Sequence, residues 1–144
     1  LVELMVAVAV TGLLMAGIFG VLSTSILSFQ NTADQGANVQ LARSALSEIA
    51  NELRNATNIT VIATNPANLS YSIDSQPRQI QLSSKNILIA KNGVTSSIGQ
   101  GRISSLKIDR DVTNARIFTV SIVVQSSVSG AVATPVTTVI TTLN

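Results

Sequence analysis

Residues 1–30 read LVELMVAVAVTGLLMAGIFGVLSTSILSFQ, and this stretch decides how the chain is organised. From Leu4 to Leu22 almost every side chain is apolar, and a helix of that length covers about 29 Å, the thickness of the hydrocarbon core of a bilayer. The one charged side chain before Asp34 is that of Glu3. Because a carboxylate at the bilayer centre costs about 2 to 3 kcal/mol, we expect Glu3 to lie at an interface or to be neutralised by an amino terminus.

A cleaved secretory signal is the alternative interpretation of this segment. Such a signal carries a basic region at its start, followed by a shorter apolar core and a small-residue cleavage site. Here the first charged residue is acidic, and the first basic residue is Arg43. The pattern therefore favours a membrane-spanning segment that stays in the mature protein.

A water-facing helix follows without a turn signal. From residue 39 onwards, apolar residues recur alternately three and four positions apart, the pattern of one face of an amphipathic helix. Asn58 and the β-branched run after it predict that the helix ends near residue 60. The opposite face carries charged side chains, which predict a solvated surface, with a contact to another subunit as the alternative; these residues are Arg43, Glu48, Glu52 and Arg54. The face expected against a globular domain is formed by Val39, Ala42, Leu46, Ile49 and Leu53.

Beyond residue 64 the chain changes to short runs rich in Ile, Val, Leu and Thr, bounded by Pro, Gly, Asn and Ser. Polar intervals at 83–86 and 111–114 suit turns between antiparallel strands. The predicted strands are residues 69–73, 79–82, 87–90, 103–108, 115–124 and 135–143.

Together these patterns predict an α+β fold. A long N-terminal helix, apolar in its first half and amphipathic in its second, packs against a C-terminal antiparallel β-sheet. The expected segments are the apolar helix at 1–30, the amphipathic helix at 31–60 and the globular sheet domain at 61–144.

The composition argues against catalysis. The chain has no His and no Cys, and its seven acidic residues are scattered, so catalytic triads, thiol chemistry and zinc clusters lack their parts. We therefore expect no enzyme activity, no cofactor and no metal. One Tyr, three Phe and no Trp leave no stacking platform for bases, and the net charge of +2 is small, so nucleic-acid binding is not supported. Without disulfides, sheet hydrogen bonds and burial must hold the C-terminal end.

Four small residues interrupt the apolar segment: Gly12, Ala16, Gly17 and Gly20. Gly12, Ala16 and Gly20 are four residues apart, a spacing that lets helix backbones approach closely, as in membrane-helix dimers. Each glycine also lowers helix stability by about 1 kcal/mol relative to Ala. The segment is thus either a packing surface in a crowded helix bundle, a weak point in the helix, or both.

The opening residues Leu1-Val2-Glu3-Leu4-Met5-Val6-Ala7-Val8 resemble the mature N-terminus of type IV pilins and of the pseudopilins of type II secretion and competence systems. The resemblance covers about residues 1–30, with a looser similarity to about Asn58. It implies cleavage by a prepilin peptidase two residues before Leu1, at a residue that is usually Phe, and methylation of the new amine. It also implies that Glu3 is the glutamate shared by nearly all members.

The resemblance implies the pilin fold and a tendency of the helix to unwind in the filament. In the family a segment near a Gly and a Pro loses helical hydrogen bonds on assembly. Gly12 stands at the family's Gly, and Gly20 stands where many members have Pro.

The function expected from the resemblance is structural. The subunit is held in the inner membrane as a single-pass protein. The pilus assembly machinery then moves it into an extracellular or periplasm-spanning filament, a helical homopolymer of its own copies. Glu3 sets the register by pairing with an amino terminus, its own or a neighbour's.

Two alternatives stay open: a minor pilin or pseudopilin present in few copies, and a membrane-anchored binding module that never polymerises. The sequence does not distinguish a major from a minor subunit. It also does not choose between adhesion, motility, DNA uptake and secretion.

Overall fold

A computed structural model describes residues 1–64, 66–126 and 133–143, and these residues form one long helix followed by eight strands. The helix α1 spans Val2–Arg54, 53 residues, and is about 80 Å long. The strands are β1 (Thr57–Thr64), β2 (Ala67–Ile73), β3 (Gln76–Ser83), β4 (Asn86–Lys91), β5 (Val94–Ile98), β6 (Ile103–Arg110), β7 (Ile117–Val124) and β8 (Thr134–Thr141).

The strands form two antiparallel sheets. The first has the order β1-β2-β3-β4-β5, and the second has the order β6-β7-β8. Every neighbouring pair is antiparallel, and α1 lies against β7 and β8. The α+β prediction with a long N-terminal helix is therefore confirmed. The sequence pattern predicts a single sheet, whereas the chain divides its strands between two.

The helix ends earlier than its sequence pattern predicts. It stops at Arg54, where the amide of Ala56 donates to the carbonyl of Leu53, and β1 begins at Thr57. The predicted end near residue 60 is wrong because the β-branched run 59–62 pairs with β2, and this pairing begins before the run. Pairing with β2 therefore makes these residues a strand, although they could also have extended the helix.

The core lies between the second half of α1 and the two sheets. On the helix, Ala42, Leu46, Ile49 and Leu53 are buried as predicted, whereas Val39 is half-buried. Alternate residues of β7 face inward, with Phe118 the largest of them. The core residues of the remaining strands are mainly Leu69, Tyr71, Ile80, Ile87, Ile89, Ile103, Leu106, Ile108 and Ile140.

Three two-residue turns connect β2 to β3, β3 to β4 and β4 to β5. Their central pairs, Asp74-Ser75, Ser84-Lys85 and Asn92-Gly93, all have positive φ, as type I′ hairpin turns require. The predicted turn at 83–86 is confirmed. Strand β5 has no counterpart among the predicted strands, although Asn-Gly is a strong hairpin signal in a sequence and marks its start.

Hydrogen bonds close the C-terminal end of the fold. The amide of Thr142 donates to the carbonyl of Arg116 at 2.9 Å, and the amide of Leu143 donates to the carbonyl of Arg54 at 3.0 Å. Together with the pairing of β8 on β7, these bonds attach the end of the chain to the end of the helix. In a chain without disulfides, these hydrogen bonds hold the C-terminal end against the domain.

Replacing Gly99 is expected to destabilise the fold by about 2 kcal/mol. Its φ is 129°, and an added Cβ would lie 2.7 Å from Cδ1 of the buried Ile103 and 3.2 Å from the carbonyl oxygen of Lys85. Urea unfolding of Gly99→Ala in non-ionic detergent, followed by circular dichroism, measures the effect. Gly36→Ala is the matched control: its helical site is open, so this variant should be slightly more stable. Equal stability of Gly99→Ala and the unmodified chain would contradict the prediction.

Candidate functional site: the exposed apolar helix and its anchor

The first half of α1 lies entirely outside the globular domain. Every residue from 1 to 30 is exposed. Seventeen large apolar side chains have more than half of their surface open, far more than a soluble monomer tolerates in one continuous patch. By length and composition this one helix could span a membrane, and none of its most apolar stretch is buried. These side chains belong to Leu1, Val2, Leu4, Met5, Val6, Val8, Val10, Leu13, Leu14, Met15, Ile18, Phe19, Val21, Leu22, Ile26, Leu27 and Phe29.

Three hydroxyl groups in this segment donate hydrogen bonds to the backbone of the helix itself. Thr11 donates to the carbonyl of Ala7 at 2.7 Å. Ser23 and Thr24 likewise donate to the carbonyls four residues before them, at 2.9 and 3.0 Å. Such bonds let a polar side chain enter an apolar environment without a stranded donor. In residues 2–33, all of them described, Glu3 is then the one side chain that carries a charge.

Glu3 lies in the first turn of α1 and is exposed. A carboxylate there is favourable for the helix dipole, whose positive end is at the N-terminus. The globular domain begins more than thirty residues further along a continuous helix, at about 1.5 Å per residue. Glu3 is therefore available to a membrane interface or to a second molecule, and the fold of the domain does not depend on it.

The small residues of the segment are not needed for packing within one copy. A Cβ built on Gly12, Gly17 or Gly20 meets nothing within 4 Å, and Ala16 is exposed. The helix also continues unbroken through all four positions. Their narrow surface is thus open for another helix to approach.

A row of three donors anchors the second half of the helix. Tyr71, Arg78 and Lys91 are directly opposed across β2, β3 and β4, so their side chains share one face of the sheet. All three reach the carboxylate of Glu52, at 2.8, 2.8 and 2.7 Å. Lys91 also pairs with Glu48, one helical turn earlier, at 3.0 Å. One helical side chain therefore fixes α1 against three strands.

The sequence pattern is wrong about Glu52. It predicts a solvated position, but Glu52 is only 7% exposed. The signal that could have found it is its spacing, three residues after Ile49 and four before Ala56, which places it on the buried stripe. Tyr71, the single tyrosine of the chain, gave no sequence signal because its partner is nineteen residues away on another element.

The anchor shifts the pKa values of Glu52, Tyr71 and Lys91. Burial opposes the charged form of Glu52, but hydrogen bonds from Lys91, Tyr71 and Arg78 outweigh it and lower its pKa. Burial, together with donation to Glu52, raises the pKa of the Tyr71 phenol. Bonds to Glu52 and Glu48 raise the pKa of Lys91. At neutral pH the anchor therefore consists of an ionised carboxylate, a neutral phenol and two cations.

A second polar contact holds the helix near the start of the domain. Asp34 accepts hydrogen bonds from Arg102, the residue before β6, and from Ser126, which follows β7. Asn38, fully buried, donates to the same carboxylate at 3.2 Å. Sequence reasoning missed this contact, because its members are up to ninety-two positions apart. It marks the point where α1 leaves the globular domain.

The fold and the exposed segment define the class: an α+β protein whose single long N-terminal helix carries an apolar half able to span a membrane. No family model, no curated protein and no solved structure matches this chain.

The stability of the domain is expected to fall at both ends of the pH scale. The lowered pKa of Glu52 contributes stability above the usual glutamate pKa of about 4.3, and this contribution is lost as the pH falls through the folded value. The raised pKa values of Tyr71 and Lys91 contribute stability that is lost as the pH rises above about 10.

Urea midpoints measured from acid to alkaline pH test this prediction. The ultraviolet absorbance of tyrosinate follows Tyr71 alone, because the chain has no other tyrosine and no tryptophan. Its ionisation should coincide with unfolding. Glu52→Gln should flatten the acid limb. An unchanged acid limb in that variant, or a Tyr71 that ionises near pH 10 in the folded protein, would contradict the assignment.

Proposed function

We propose that this chain is a structural subunit of a type IV pilus-like filament, held in the inner membrane until its N-terminal helix enters a bundle of identical helices. The observation that carries the proposal is the division of α1. Its second half is fixed to the globular domain by a core and two polar anchors, whereas its first half is apolar and exposed along its whole length. The N-terminal resemblance to type IV pilins supports the same function.

Assembly in this proposal exchanges lipid for protein around the apolar half. Because lipid tails are as apolar as the helix, burial from water changes little, and van der Waals packing together with polar pairing must drive the step. The narrow surface at Gly12, Ala16 and Gly20 supplies the packing. Glu3 supplies the polar pairing, with the amino terminus of its own or a neighbouring copy.

Electron microscopy of material sheared from expressing cells tests the proposal, combined with mass spectrometry of the filament protein's N-terminus. We expect filaments composed mainly of this chain, with a methylated residue two positions before Leu1. Filaments in which the chain is a minor component would favour a minor pilin or pseudopilin. A chain that stays in the inner membrane under conditions that yield filaments from other pilins would favour an anchored binding module.

Enlarging the small residues of the apolar half is expected to reduce filament yield at least about tenfold. Gly12→Leu and Ala16→Leu keep the segment apolar, so membrane insertion should be unchanged, but they separate helices that approach at these positions. Gly12→Ala is the matched control, since it keeps a small side chain at the same site and should assemble normally. The measurement is the amount of sheared filament relative to membrane-held subunit. Normal yields from both leucine variants would argue against close helix approach here.

A further inference from the structure

A surface cavity of about 490 Å³ lies beside the carboxyl end of α1. Three connections of the fold meet there: the passage from α1 to β1, the turn between β6 and β7, and the residue that follows β8. Arg110 and Arg116 are its charged lining residues, and Thr57, Asn58 and Thr142 add neutral polar groups. The cavity is thus polar and cationic, and it lies far along the helix from the apolar half.

The side chain of Arg110 and the backbone of Arg116 are each held by hydrogen bonds within the domain. The Nε of Arg110 donates to the carbonyl of Ala115 at 2.8 Å, and its guanidinium carbon lies 5.7 Å from the ring centroid of Phe118. The amide of Arg116 donates to Oδ1 of Asn114 at 3.0 Å, and its carbonyl accepts from Thr142. Within the described residues, the terminal NH₂ groups of Arg110 make no hydrogen bond, so a fixed fork of donors is available.

No carboxylate of the described chain neutralises these two charges. Asp109 pairs with Lys107 at 2.6 Å, and Oδ1 of Asp111 accepts from the amides of Thr113 and Asn114. The negative end of the α1 dipole also points to this region, although the carbonyls of the last turn already accept hydrogen bonds from the chain. Two guanidinium groups on one cavity repel each other, and an anion between them relieves that repulsion.

We propose that the cavity between Arg110 and Arg116 binds an oxyanion, the phosphate or carboxylate group of a small ligand. A planar guanidinium binds such a group through two parallel hydrogen bonds, which gives geometric selectivity over a spherical ion such as chloride. Among the described residues, a second copy of this chain offers few carboxylates for this cavity. Apart from Glu3, those without an ion pair are Asp74 and Asp111, and Asp111 already accepts hydrogen bonds in its own turn. The site does not depend on filament formation.

Titration of the ¹⁵N-labelled full chain in non-ionic detergent tests the site by nuclear magnetic resonance. The probes are inorganic phosphate and acetate, each added against sodium chloride at constant ionic strength. We expect saturable shifts of the amides of Thr57, Asn58 and Thr142. Arg116→Gln should weaken the binding at least about tenfold. Arg110→Lys keeps the charge but loses the fork, and it should weaken binding as well. Arg43→Gln is the matched control, because it removes an exposed arginine of the helix without touching the cavity.

Each outcome has a defined meaning. Saturation by phosphate alone identifies a phosphate site, and saturation by both probes identifies a general oxyanion site. Shifts that equal those caused by chloride, or that survive in Arg116→Gln, would overturn the proposal. The amide signals of Arg116→Gln outside the cavity show whether this variant is folded. If it is not, Arg110→Lys provides an independent test of oxyanion binding.

Discussion

Glu3→Gln and Glu3→Leu are expected to reduce filament yield by about a hundredfold or more while leaving the membrane-held subunit folded. In the proposed bundle, the carboxylate of Glu3 pairs with an amino terminus in apolar surroundings. Removing one partner strands the other charge, at a cost of about 3 kcal/mol or more per subunit. A cost of that size at every contact of a helical polymer prevents growth. Because glutamine keeps the size and polarity of the side chain, Glu3→Gln measures the effect of the charge alone.

The folded state of the subunit should be unaffected by these substitutions, because Glu3 is exposed and the domain begins far along the helix. Asp74→Asn is the matched control. It removes one negative charge from an exposed turn with positive φ, a conformation that Asn readily adopts, and it should assemble normally. Filament yield per membrane-held subunit is the measurement. Abundant normal filaments from either Glu3 variant would refute the role of Glu3.

Glu52→Leu is expected to destabilise the globular domain by about 3 to 5 kcal/mol. The substitution removes the carboxylate that Arg78 contacts, leaves Lys91 with Glu48 as its remaining acceptor, and leaves the hydroxyl of Tyr71 unpaired. Because folded domains are stable by only about 5 to 15 kcal/mol, a loss of this size approaches the whole stability of a small domain. The stability of Glu52→Gln should lie between those of Glu52→Leu and the unmodified chain, since the amide oxygen of Gln still accepts a hydrogen bond from Tyr71.

Urea unfolding of the full chain in non-ionic detergent measures these differences. Glu48→Gln is the matched control on the same helix. Among the described residues, its half-exposed carboxylate pairs with Lys91 alone, so the loss should be at most about 1 kcal/mol. If Glu52→Leu lost no more stability than Glu48→Gln, the three-strand row would not anchor the helix. A double-mutant cycle that combines Glu52→Leu with Arg78→Met then measures how much of the lost stability comes from the pair Glu52–Arg78.

Local patterns predicted most of the fold. The apolar run, the amphipathic stripe and the alternating β-runs each depend on residues close together in sequence, and the helix and most strands were found where these patterns are strong. The exceptions have physical reasons. The run 57–64 is β-branched but continues a helical pattern, and its pairing with β2 decides between the two. Strand β5 has weak apolar content, and its edge position depends on the turn at Asn92-Gly93.

The apolar half of α1 and the polar anchor also differ in how far the sequence alone identifies them. Glu3 and the small residues of the apolar half could be identified from the sequence, because their significance comes from an apolar helix that makes no tertiary contact. The burial of Glu52 could have been inferred from its spacing on the helix, but its role could not, because that role depends on three strands that meet at one carboxylate. The same holds for Asp34 and for the two arginines of the cavity, whose neighbours come from distant parts of the chain.

By itself, the sequence determined that this protein has a long helix with a membrane-length apolar half, a single charged side chain at the start of that half, and a β-rich domain after it. These are properties of composition and periodicity along one dimension. The tertiary structure alone decided how the strands divide into two sheets, where the helix ends, and which charged groups are buried or free. Those outcomes depend on which distant segments come into contact, and hydrophobic periodicity indicates which face of an element is buried but not which element covers it.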